Sequence, residues 1–138
     1  MPSNGGAMMR RVFEIGVHVL VAAVLIQFFL AGLGIFGSAS LLYWHTTVNA
    51  LVIFVLSIAL VIVGWLGKYD RLTVGLPGII IGMVILQSLL LFPYHLGSPL
   101  ALRAISALHV VNGVAIFWVA LHLMDRVRFP KTAPASSS

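Results

Sequence analysis

The 138 residues contain no cysteine, and only three acids, Glu14, Asp70 and Asp125, stand against eight Lys and Arg. Without cysteine there is no disulfide, no covalent c-type haem attachment, no iron–sulfur cluster and no thiolate nucleophile, so any cofactor must be held by histidine, carboxylate or packing. Charge of either sign is scarce: 8% of residues are charged and 61% are hydrophobic, a balance that excludes an ordinary soluble domain and indicates the membrane class. The net charge of +5 would suit a nucleic-acid partner only if the bases formed a patch. They flank apolar runs instead, so no nucleic-acid partner is expected; they read as topology signals with some attraction to anionic lipid.

Four apolar runs, residues 12–36, 41–66, 74–92 and 102–124, each approach the ~20 residues a helix needs to cross ~30 Å of hydrocarbon. Spanning strands are excluded because an open sheet edge leaves backbone groups unpaired in lipid. The first run is longer than the apolar segment of a signal peptide and is read as a span. Arg10 and Arg11 precede it, Lys68 and Arg71 join the second run to the third, and Arg126, Arg128 and Lys131 follow the fourth, whereas the other connections hold only Arg103. The positive-inside rule therefore predicts a multi-pass protein of the cell membrane with both termini cytoplasmic. Short connections predict one all-α domain, an up-down-up-down four-helix bundle in the bilayer. Gly78 and Gly82 form a GxxxG pair expected to allow close helix packing. The tails, 1–7 and 132–138, are small and polar and are expected to be disordered.

Polar residues inside the hydrocarbon are costly and mark where function is to be sought. The second helix opens "LLYWHTTVNA" and the fourth "LRAISALHVVNG", which places His45 ~6 Å and His109 ~10 Å below their outer ends at 1.5 Å per residue. Each has an amide on its own face, Asn49 at i+4 and Asn112 at i+3. With neighbouring helices 8–10 Å apart, helices on the diagonal of a square bundle lie ~13 Å apart, a span suited to two imidazoles with a metal between them. A haem ligated from both faces meets that requirement, with Gly32, Ala50 and Gly113 as small residues for the ring's slot. Gln27 and Gln87 sit in the outer half where they would reach propionates or bound water, and Arg103 is the outer cation for a propionate. Tyr43, Trp44 and Tyr94 read as interfacial aromatics and His95 as a solvated loop residue. Glu14, His18 and His122 form an inner group, with Glu14 expected to pair with Arg10 or Arg11 and His18 with Glu14. His122 lies 13 residues after His109, ~140° around the helix, so the two cannot face one axis.

The His45 and His109 placement in helices 2 and 4 resembles one half of a haem A synthase and, in outline, other four-helix membrane b-type cytochromes. "QFFLAGLGIFG", His45 and "LHVVNG" also resemble a group of small uncharacterised prokaryotic four-helix membrane proteins, over nearly the whole chain. The synthase pattern includes an outer-loop glutamate with no counterpart here, so the resemblance extends to a haem site and not to synthase chemistry. Together these readings predict one haem b ligated by His45 and His109, with electron transfer to a quinone or a redox partner protein, and allow a homo-oligomer. Two other classes fit the same residues. One is an accessory subunit without cofactor whose histidines join helices; the other is a small transporter or proton path through Gln27, His45, Asn49, Gln87 and His109.

Overall fold

A computed structural model describes residues 4–129; 1–3, 130–138 and the side chains of Asn4 and Ala50 lie outside the described residues, and with them Lys131 and most of both predicted tails. Four helices account for nearly all of it: α1 (Asn4–Phe36), α2 (Ala39–Leu66), α3 (Arg71–Leu90) and α4 (Leu100–Arg128). A single helical turn, Phe92–His95, lies between α3 and α4. All four are long and apolar enough to span a bilayer, and no strand occurs among the described residues.

The helices are longer than the apolar runs. Asn4 to Ala7, expected in the flexible tail, are helical, and α4 continues through Asp125, Arg126 and Arg128. Charge ends the hydrocarbon run but does not end a helix: Arg is a good helix former, and cations in a last turn complement the helix dipole. At ~1.5 Å per residue the 33 residues of α1 reach ~50 Å, well beyond the hydrocarbon. The start of α3 is set by Asp70, whose Oδ1 accepts from the backbone N–H groups of Leu72 and Thr73, both at 3.1 Å. Hydrogen bonding from Thr73, then the nearby Arg126, holds the Asp70 carboxyl below its ordinary value.

Each helix touches its neighbours in sequence, and α4 returns to α1, while the α1–α3 and α2–α4 diagonals make no close backbone approach. The square bundle predicted by the short connections is therefore observed. Its apolar core is built of residues such as Phe13, Val17 and Leu20 of α1, Leu60 of α2, Ile80 of α3 and Leu123 of α4, all buried. The GxxxG pair does not contribute: an added Cβ at Gly78 or Gly82 would meet nothing within 4 Å, and both are exposed. Close packing comes instead from Gly16 against Leu60 and Gly64 against Phe13, where a Cβ would approach to 2.8 and 2.7 Å. Above the core the bundle interior turns polar.

Candidate functional site

His45 and His109 face each other across the α2–α4 diagonal, with ring centroids 6.1 Å apart and planes at 53°. Two carbonyls hold them there. His45 Nδ1–H donates to the backbone carbonyl of Gln27 on α1 at 3.1 Å, and His109 Nδ1–H donates to that of Gln87 on α3 at 3.0 Å. Since a carbonyl only accepts, the proton of each neutral ring lies on Nδ1, which leaves both Nε2 lone pairs free of protons. His45 Nε2 receives the Gln27 side-chain amide at 3.4 Å, a long contact.

The arrangement repeats between the two helical hairpins. In each, a glutamine on the first helix gives its backbone carbonyl to a histidine on the second. The sequences after the histidines run in parallel, "HTTVNALVIF" from His45 and "HVVNGVAIF" from His109, the first being one residue longer. The extra residue is taken up by a π-helical segment, Val48–Phe54. A π-bulge absorbs one inserted residue without rotating the helix beyond it. His45 thus precedes Ile53 by eight residues and His109 precedes Ile116 by seven, yet all four side chains line one cavity.

That cavity has a volume of about 250 Å³. Gln27, Asn49 and Gln87 line it with the two histidines, and Gly32 and Gly113 supply the small positions expected of them. A Cβ at Gly113 would press on Phe28 at 3.3 Å, while one at Gly32 would meet open space. The most exposed lining residues, Ile35 and Val110, belong to the adjacent helices α1 and α4, so the cavity opens toward lipid between them. Asn112 is buried but turned away from the cavity: its Nδ2 donates to the Met83 carbonyl at 2.8 Å and to Gln87 Oε1. It fixes the α3 segment that holds His109. Gln27 Oε1, by contrast, is buried with no partner.

The remaining candidates lie elsewhere. Arg103 is exposed and does not line the cavity, and His95 is exposed beside Tyr94. His18 Nδ1–H donates to the Glu14 carbonyl at 2.7 Å rather than to its carboxylate, and Arg128 donates to His18 Nε2 at 3.3 Å. His122 stacks on Trp118. Glu14 accepts from the Tyr69 hydroxyl at 3.5 Å and forms no ion pair with Arg10 or Arg11. Among the described residues no group of three His, Asp or Glu side chains is placed to hold a metal ion. The anchoring role of the two glutamine carbonyls was not legible in the sequence, because a backbone acceptor has no residue signature.

Residues 27–93 match the model of a family of unknown function (DUF6220). The match takes in Gln27, His45, Asn49 and Gln87 and ends before His109 and Asn112. No curated protein and no solved structure matches the chain. With the four apolar helices, the similarity is to a small uncharacterised membrane protein.

Proposed function

We propose that the protein binds one b-type haem between His45 and His109 and carries electrons in the membrane. The observation that carries this reading is the opposed pair of imidazoles, both anchored at Nδ1. Two nitrogen–metal bonds of ~2 Å each separate imidazole centroids by roughly 6 Å, and the rings stand 6.1 Å apart. An imidazole that ligates through one nitrogen characteristically donates the other N–H to a carbonyl or carboxylate, as both do here. Two nitrogen donors without a third side chain satisfy a bare zinc or iron ion poorly, whereas a porphyrin brings four equatorial donors of its own.

The residues present fit such a group with one rearrangement. The Gln27 amide must swing off His45 Nε2, and because its Oε1 has no partner it gives up little in doing so. The enclosed 250 Å³ is smaller than a porphyrin, so part of the ring would lie in the lipid-facing opening beside Gly32, Ile35 and Val110. When bound, haem would supply reversible one-electron chemistry. The chain's own share is to hold both imidazoles opposed through their Nδ1–H bonds, to exclude water with the buried Ile53 and Ile116, and to leave an apolar opening through which a quinol or a redox protein meets the site. Arg103 is exposed and does not line the cavity, so it would meet a propionate only by extending its side chain. The distribution of Lys and Arg supports a cell-membrane location with both termini cytoplasmic and the haem near the outer face.

The test is spectroscopic. Detergent-purified protein from haem-replete cells is expected to show a six-coordinate low-spin b-type spectrum, with haem extracted by acid because no cysteine tethers it. His45→Ala and His109→Ala should each empty the site or leave five-coordinate high-spin iron, while His95→Ala should do neither. Colourless protein, or a low-spin spectrum that survives loss of both histidines, would overturn the proposal in favour of polar helix pairing without cofactor.

A further inference from the structure

The end of the bundle that carries both described chain ends holds a second and larger cavity, about 730 Å³, remote from the histidine pair. Its walls are charged with both signs: Arg10 and Glu14 from α1, Lys68 and Asp70 from the α2–α3 turn, and Asp125 and Arg126 from α4. Some of these groups are already committed. Arg126 donates to Asp70 at 2.8 Å and to the Thr73 hydroxyl at 3.0 Å. Tyr69 packs against Phe13 at 4.5 Å and lies under the Arg10 guanidinium at 5.2 Å. Burial, then the adjacent Glu14 carboxylate, pushes its hydroxyl up to about 12, so it stays a neutral donor.

Others are not committed. The Lys68 ammonium and the Asp125 carboxylate make no hydrogen bond or ion pair among the described residues, and the Arg10 guanidinium meets only the Tyr69 ring. Lys68 also holds φ at 57°. Its N–H bonds the Trp65 carbonyl and the Tyr69 N–H bonds that of Gly64, the helix-ending motif in which glycine is the unstrained choice. A lysine kept at that position sets an ammonium on the wall of the cleft. The depth is that of lipid head groups, since α2 ends there at Leu66, α3 begins there at Arg71 and the charged last turn of α4 reaches Arg128. Exposed Trp65 and Phe129 mark the same level as an interface.

We infer that this cleft binds a phosphate–ammonium zwitterion, with the phosphodiester toward Arg10 and Lys68 and the primary ammonium toward Asp125 and Glu14. A purely anionic head group would face the Asp125 carboxylate without bringing it a cation, and a quaternary ammonium would offer it no N–H. This inference is independent of the haem site. The probes are phosphatidylethanolamine, phosphatidylglycerol and phosphatidylcholine added to delipidated full-length protein, with retention read by native mass spectrometry. Phosphatidylethanolamine is expected to be retained at least tenfold better than either of the others. Lys68→Gln should lower retention of phosphatidylethanolamine severalfold. Asp125→Asn should erase its advantage over phosphatidylglycerol, and Asp125→Glu should restore it, which separates loss of the carboxylate from loss of the fold. Free phosphoethanolamine serves as a further arm: saturable binding without acyl chains would assign the site to a soluble zwitterion, and its failure alongside lipid retention would assign it to the bilayer. Equal retention of the three lipids, a preference for phosphatidylglycerol, or indifference to both Lys68→Gln and Asp125→Asn would overturn the inference.

Discussion

A side chain that never touches the cavity sets the aim of one that does. Asn112 joins the Met83 carbonyl to the Gln87 amide, and the Gln87 carbonyl in turn fixes the ring of His109. Removing the amide by Asn112→Ala strands the Gln87 oxygen in a buried site, at a cost of about 1–3 kcal/mol, and frees the His109 ring to rotate. The expected result on the proposed haem is retention with weaker binding, on the order of 10–100-fold, and a shifted midpoint potential, since orientation changes while both ligands remain. Asn112→Asp, which keeps the Oδ acceptor and loses the donor, should behave like the alanine variant. An unchanged potential and affinity would reduce Asn112 to helix glue. The sequence exposed this residue only as one of a matched pair of amides. It did not reveal that Asn49 lines the cavity while Asn112 turns to α3, because i+3 and i+4 positions share a helix face and differ only in the neighbour they meet. Arg103 shows the limit from the other side: a lone cation reads as a partner for an anion, and the structure places it exposed in the first turn of α4, outside the cavity lining.

At the scale of the element, the π-helical segment of α2 explains how unequal spacings serve a symmetric pair. Hydrophobic length made the four spans legible, since ~20 apolar residues admit little else, but length cannot register a one-residue insertion within an apolar run. It cannot register helix extensions past the charged flanks either, which is why α1 and α4 are longer than their hydrocarbon segments. If the insertion is what Val48–Phe54 accommodates, removing one residue there should restore an ordinary helix and leave His45 facing His109. Leu51 is the residue to delete, being lipid-exposed at 63%. The deletion variant is expected to keep wild-type detergent stability and spectrum, with eight residues becoming the seven that separate His109 from Ile116. Deleting Ile58, which is lipid-exposed but lies in the regular helix below, turns everything on one side of it by ~100° and should abolish the folded monomer or the site. Loss of the site on deleting Leu51 would show that the π-turn itself shapes the cavity.

For the whole molecule, the two ends of the bundle differ in kind, and that polarity predicts how the chain lies in a membrane. One end carries the paired histidines in an apolar setting with Arg103 as its sole cation among the described residues; the other carries both described chain ends, Arg10, Arg11, Lys68, Arg71, Arg126 and Arg128. Translocation of short basic segments is disfavoured, so the basic end is expected on the cytoplasmic side. The four-helix count and the antiparallel order were legible because short connections force sequential neighbours. The lining of the bundle was less so, because which face of an apolar helix meets protein rather than lipid has no hydrophobic contrast to mark it; Gly78 and Gly82 face outward for that reason, and Gly16 and Gly64 inward. Reporters placed after Ser138 and within Gly67–Leu72 are expected to read cytoplasmic, and one within Gly97–Leu100 to read external. Reversing the bias is the sharper experiment. Exchanging Arg10 and Arg11 for Gln while adding two lysines at Ser38 and Ser40 moves positive charge across the first span, and the chain should then populate the inverted orientation. An external reading at Ser138 in the unaltered protein would place the histidine pair against the cytoplasmic leaflet, and its redox partner would have to be sought on that side.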